Sequence, residues 1–114
     1  MRIDYFAFGT VTVDGVKYGS DLLLLPPLVN ARWWRQEGHR LAMSDLDEVV
    51  AYRPDVLIVG SGVSGMMKVL ESTIRELGST GIRVEIYATG EAVDRFNNLM
   101  EEGEKVAAAL HLTC

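Results

Sequence analysis

The chain is short of the residues that build disulfide, metal and membrane architectures. One cysteine, Cys114, among 114 residues excludes an internal disulfide framework and a cysteine-based metal cluster, and a reducing, cytoplasmic location is expected. The two histidines, His39 and His111, have no second histidine or acid at metal-ligand spacing, so no metal site is expected. Apolar runs are brief: Leu22–Leu25 stops at Pro26-Pro27 and cannot span a bilayer. The opening stretch MRIDYFAFG lacks the apolar length and cleavage pattern of a secretory signal. Positive charge is also scarce, with 11 Lys and Arg against 16 Asp and Glu and a net charge of −5. Basic residues gather only at Arg32–Arg35 and His39-Arg40, without a long stripe, so nucleic acid is not an expected partner. There is no internal repeat and no low-complexity segment.

What remains is an ordinary globular composition, 48% apolar and 24% charged, sized for one domain with one core. The first third reads as strands. In VTVDGVKYG, alternating β-branched residues surround Asp14-Gly15, the signal for a type I′ hairpin. Leu22–Leu25 reads as a buried strand, and Ala31–Arg35 with Arg40–Leu41 as a hairpin around Gly38.

From Ser44 the period becomes helical. Ser44 and Asp47 suggest a capping box, Leu46, Val49 and Val50 one face, and Pro54 the end. Val56–Val59 is apolar throughout, as in a strand covered on both sides. Met66, Leu70, Ile74 and Leu77 predict a helix closed by Gly78 and Gly81. Ile82, Val84 and Ile86 alternate as a half-buried strand. Thr89 is placed to cap a helix with Ala92, Val93, Phe96, Leu99 and Met100 on its inner face, ended by Gly103. Val106–Leu112 is rich in alanine, which suits a helix, but its shortness and its position after Gly103 favour a last strand. The second half is thus β-α-β-α-β, whose helical crossovers imply parallel strands.

One motif invites a functional reading. Gly60-Ser61-Gly62-Val63-Ser64-Gly65 is a literal G-x-G-x-x-G after a strand, the fingerprint of a dinucleotide-binding turn. Its companion acid belongs about 20 residues on, at the carboxyl end of the second strand. Glu85 has that spacing but lies in mid-strand, and too little chain follows for two mononucleotide-binding halves. A phosphate loop fails as well, because Met66-Met67 stand where Lys and Ser or Thr are needed. No cofactor is therefore expected, and the glycines are read as letting the following helix start close to the sheet.

A weaker functional version survives. Parallel strands point their carboxyl ends to one edge, where Gly60, Ser61, Gly62, Ser64, Thr89, Gly90, Glu91 and the Thr113-Cys114 terminus are expected to gather. Two helix N-termini facing one crevice would favour an anion or small acidic molecule, the terminal carboxylate included.

A second candidate surface lies at Trp33-Trp34-Arg35. Adjacent residues on a strand face opposite ways, so one tryptophan is expected in the core and the other, with arginines beside it, at an interface. Catalytic residues are not assigned. Asp45, Asp47 and Glu48 read as acids favouring a helix start, and Glu101, Glu102 and Glu104 as a solvated helix end.

Several stretches together resemble a known family of small domains. They are Asp14-Gly15 with Tyr18 and Ser20-Asp21-Leu22, then Trp33-Trp34-Arg35 through Gly38-His39-Arg40-Leu41, and Val56 to Gly62. Thr89-Gly90-Glu91-Ala92, Asn97, Glu102-Gly103 and Val106–Leu110 follow in order. That family of unknown function includes the adipogenesis-associated domain protein and mitochondrial complex I assembly factor 3. The resemblance covers nearly the whole chain, with departures at Phe96 and Glu104. It implies an α/β domain of compact three-layer β/β/α form, N-terminal β-hairpins preceding the β-α-β-α-β half, with no settled reaction or catalytic residues. The expected function is a binding or assembly-type module contacting a protein partner or a second copy of itself; the alternative is a small-molecule or anion-binding protein.

Overall fold

The computed structural model describes residues Met1–Cys114. Asp14 and Gly15 both take positive φ, 48° and 79°, the backbone a two-residue hairpin requires. They join β2 (Thr10–Val13) to β3 (Val16–Tyr18), and β1 (Ile3–Ala7) completes an antiparallel three-stranded sheet. Next come β4 (Leu22–Leu25) and β5 (Leu28–Asn30), an antiparallel pair turning at Pro26-Pro27. The short strand β6 (Arg40–Leu41), a 3₁₀ turn (Met43–Leu46) and helix α1 (Asp47–Tyr52) follow. The remaining elements are β7 (Val56–Ser61), β8 (Lys68–Val69), α2 (Glu71–Ser79), β9 (Arg83–Tyr87), α3 (Thr89–Glu101) and β10 (Val106–His111).

The main sheet has the order β5-β4-β10-β7-β9. β10, β7 and β9 are mutually parallel, and β4 runs antiparallel to β10. Every residue of β4, β7 and β10 is buried, which explains their unbroken apolar sequences: they lie mid-sheet with cover on both faces. One face packs against α3 and the small sheet through Phe96, Leu99, Ile3 and Val11. The other packs against α1, α2 and the 3₁₀ turn through Val49, Leu77, Leu46 and Trp33. This is the three-layer α/β arrangement that the resemblance implied.

Buried Asn97 ties α3 to the small sheet. Its amide accepts from the Ile3 N–H at 2.9 Å and donates to the Ile3 carbonyl at 2.8 Å, so a side chain satisfies both groups of a strand residue.

Several local expectations are corrected. Residues 31–36 form no strand; of the expected hairpin around Gly38 only one antiparallel bridge, Glu37 to Arg40, is present, and Arg40–Leu41 pairs in parallel with Lys68–Val69. Asp45, not Ser44, closes the 3₁₀ turn, accepting from the Ala42 N–H at 2.9 Å. The helix after the glycines begins only at Glu71, and Met66 is 51% exposed. The 66–77 periodicity was therefore half accidental: β8 intervenes, because the chain must first pass beside β6. No helix is long and apolar enough to cross a membrane.

Candidate functional site

The glycine corner turns inward. Gly62 has φ +108°, open to glycine alone, and a Cβ there would collide with the Cys114 backbone and lie 2.9 Å from the His111 ring. At Gly60 a Cβ would stand 2.9 Å from the Thr89 hydroxyl and 3.0 Å from Leu110. So the small residues admit the start of α3 and the end of β10, not the helix that follows in sequence. This corrects the expected packing partner and keeps its physical reason.

Thr89 is the strut of that corner. Fully buried, it follows the N-cap Ala88 and does not itself cap α3. Its hydroxyl donates to the His111 carbonyl at 2.6 Å and accepts from the Gly62 N–H at 2.8 Å, while its own N–H donates to the Gly62 carbonyl at 3.0 Å. The Val63 N–H donates to the Thr113 carbonyl, the Met66 N–H to the Cys114 backbone oxygen, and the Met67 N–H to the Ser61 carbonyl. Ser61 donates to the Tyr87 carbonyl. The structure does bring residues 60–66, Thr89 and Thr113-Cys114 together. It joins them to each other, and none of Gly60, Ser61, Gly62, Ser64, Thr89, Gly90 or Glu91 lines a cavity. Gly90 and Glu91 are exposed at the first turn of α3, and Glu85 is held by Arg95 and Tyr87. The Arg95 guanidinium, with help from Tyr87 and Arg83, draws the Glu85 carboxyl down to about 2.

Beside this corner lies a buried charged cluster that sequence reasoning missed. The Arg35 side chain, 6% exposed, reaches Asp21 at 2.8 Å and donates to the Gly38 carbonyl at 2.6 Å. Asp21 also accepts from the Leu112 N–H at 2.8 Å and from His111 Nδ1 at 2.7 Å. A carboxylate only accepts, so the Nδ1 proton belongs to that bond, and the Arg35 nitrogen 3.3 Å from Nδ1 is a neighbour rather than a donor to it. Burial pushes the Asp21 carboxyl up, but the bonds from His111, Leu112 and Arg35 outweigh it and hold the group below the ordinary aspartate value. His111 Nε2 lies 3.5 Å from the Thr113 hydroxyl, too long to prime a nucleophile, and no cavity opens there. Asp21 and His111 adjoin apolar runs, which is the signal available in the sequence, whereas Arg35 lies among polar neighbours and gives none. Their pairing across up to 90 residues has no such signal.

The cluster fixes the irregular strap 31–39. Arg35 lies over the Trp33 ring at 4.8 Å, and the Trp33 indole N–H donates to the Asp45 carbonyl at 2.9 Å. The Gln36 N–H donates to the Asp45 carboxylate at 3.2 Å, and the Arg32 N–H to the Asn30 side chain at 3.0 Å. With anchors on both sides, Trp34 is left 75% exposed, whereas Trp33 is 8% exposed. One tryptophan in and one out was expected; the strap produces it without being a strand. Of Trp33, Trp34 and Arg35, only Trp34 presents its ring to the outside. It borders a groove of about 290 Å³ whose other walls include Arg32, Trp33, Asp45, Asp47 and Glu48. A larger cavity of about 520 Å³ lies near the opposite, amino ends of the parallel strands, between Arg53, Asp55 and Thr80, and has no aromatic wall.

With this geometry in place, comparison with known proteins is direct. A family model described as "Protein of unknown function (DUF498/DUF598)" matches residues 3–111. Among solved structures, the protein called MT938 is 28% identical with a TM-score of 0.81, covering 99% of this chain and 98% of its own. A Bordetella parapertussis protein is 27% identical with a TM-score of 0.84, over 97% of this chain and 94% of its own. The conserved hypothetical protein PH1505 from Pyrococcus horikoshii is 25% identical with a TM-score of 0.78, over the whole of both chains.

Proposed function

We propose, from the premise that the chain belongs to the DUF498/DUF598 family, that it is a cytoplasmic, non-enzymatic binding module whose contact surface is centred on Trp34. The observation that carries this reading is a largely exposed indole on a strap pinned by a buried ion pair. Burying a guanidinium is costly unless it is paired and hydrogen-bonded. Here the terminal nitrogens of Arg35 meet the Asp21 carboxylate and the Gly38 carbonyl, with Nε left without a partner, and they hold a segment with no regular structure whose outward side chain is a tryptophan. A rigid, exposed tryptophan is the residue type that dominates binding energy at protein interfaces, since little side-chain freedom is lost on contact.

The anion crevice at Gly60, Ser61, Gly62, Ser64, Thr89, Gly90 and Glu91 has less support. An anion needs free amides, and those of Gly62, Val63, Gly65, Met66 and Thr89 already donate within the chain.

Capture of proteins from the native lysate tests the reading, with sedimentation to detect a second copy of the chain as partner. Trp34→Ala is expected to abolish capture or self-association while shifting stability by less than about 0.5 kcal/mol. Phe8→Ser, at another exposed aromatic on a different loop, is expected to leave it intact. Capture indifferent to Trp34, or lost equally in both variants, would refute the assignment.

A further inference from the structure

Resting on that reading, we infer that the Trp34 groove takes a cationic side chain, a Lys or Arg carried on a protein segment. Three carboxylates, Asp45, Asp47 and Glu48, face one guanidinium, Arg32, around the groove. Their commitments differ. Asp45 accepts from the Ala42 and Gln36 amides, and Glu48 accepts from the Asn30 side chain at 2.7 Å. Asp47 has neither a hydrogen bond nor an ion pair within the chain. The molecule's two cation–aromatic contacts are internal, Arg35 on Trp33 and Lys105 on Tyr52, and Trp34 has no cation over its ring.

An indole face and an uncommitted carboxylate on one groove are complementary to the same group. The ring quadrupole attracts a cation at its face, and the carboxylate supplies the counter-charge. The whole chain carries −5, so a basic segment is also drawn toward it over longer range. An acidic segment meets repulsion from the three carboxylates and from the net charge, and only Arg32 would attract it. Arg32 is the one resident charge that works against the visitor, and its removal should help binding.

The experiment titrates the intact protein with an acetylated, amidated lysine–glycine peptide and with its glutamate–glycine counterpart, following amide and indole resonances by NMR. The lysine peptide is expected to move the Trp34 indole and the Asp47 and Glu48 amides saturably, and the glutamate peptide to leave them in place. Asp47→Asn should weaken the lysine peptide about threefold, as one exposed ion pair would. Trp34→Leu should weaken it about threefold through the lost cation–π contact. Arg32→Ala should tighten it, and added salt should weaken it. Equal response to both peptides, response to neither, or indifference to Asp47→Asn overturns the charge inference. If lysate capture still depends on Trp34 in that case, the interface assignment stands without it; if capture fails too, both fall.

Discussion

Two irregular segments of similar length lie near each other and do opposite things. The glycine corner, Gly60 to Met67, carries letters associated with cofactors, and its polar groups are joined to Thr89, Thr113, Cys114 and Ser61. The strap, residues 31–39, carries no motif, and it presents the most exposed large apolar side chain of the molecule, Trp34. Glycine reports that backbone must bend or be approached closely; it does not report by what. Here the approaching group is the molecule's own chain. Display of an indole needs something different, a scaffold that prevents collapse, and the Asp21–Arg35–His111 cluster is that scaffold.

The sharpest way to break the comparison is at the corner itself. Gly62→Ala combines a positive φ with a collision against the Cys114 backbone, and should cost about 4 kcal/mol through strain and overpacking together. Urea denaturation measures it, and a loss under about 1 kcal/mol would mean that the corner relaxes easily and its tightness is incidental.

The strap is tested next. Arg35→Met keeps much of the volume but leaves Asp21 without its guanidinium, and should cost about 3 kcal/mol. Its second signature is the fluorescence of Trp34, which should report a more mobile ring once the anchor is gone. An unchanged Trp34 signal would sever the link between the cluster and the display.

The smallest expected effect is an acid limb, in which Asp21 beneath the strap is joined by Glu85 of β9, outside both regions. Asp21 and Glu85 both have folded-state pKa values below their ordinary ones. Each therefore stabilises the fold fully above its unfolded value and loses that contribution as pH falls through the folded one. For Glu85 the window runs from 4.5 down to about 2. Thermal melts from pH 6 to pH 2 should decline less steeply in Glu85→Gln than in the parent chain; identical slopes would remove Glu85 from the account.

Much of the fold was legible without coordinates. Asp14-Gly15 named its hairpin because two adjacent positive-φ residues suit a single turn class. Val56–Val59 announced two-sided burial by having no polar face and Leu22–Leu25 read as buried, whereas the alanines of Val106–Leu112 left helix open until its place beside β7 was known. The helix 66–77 was misplaced at its start because Met66 and Leu70 mimic a helical stripe while serving a bend and a short parallel bridge. Of the candidate sites, Trp34 was legible as a residue and Asp47 as an acid, but not their sharing of one groove.

By itself, then, the amino-acid order determined the periods, the turns and the run of strands and helices, since these depend on neighbours within a few positions. Tertiary structure alone decided that Gly62 abuts Cys114, that Asp21 meets Arg35 and His111, and that Trp33 goes in while Trp34 stays out. Those outcomes depend on which distant segments the sheet order brings together, and a buried charge or a left-handed glycine acquires its meaning only from the atoms that arrive beside it.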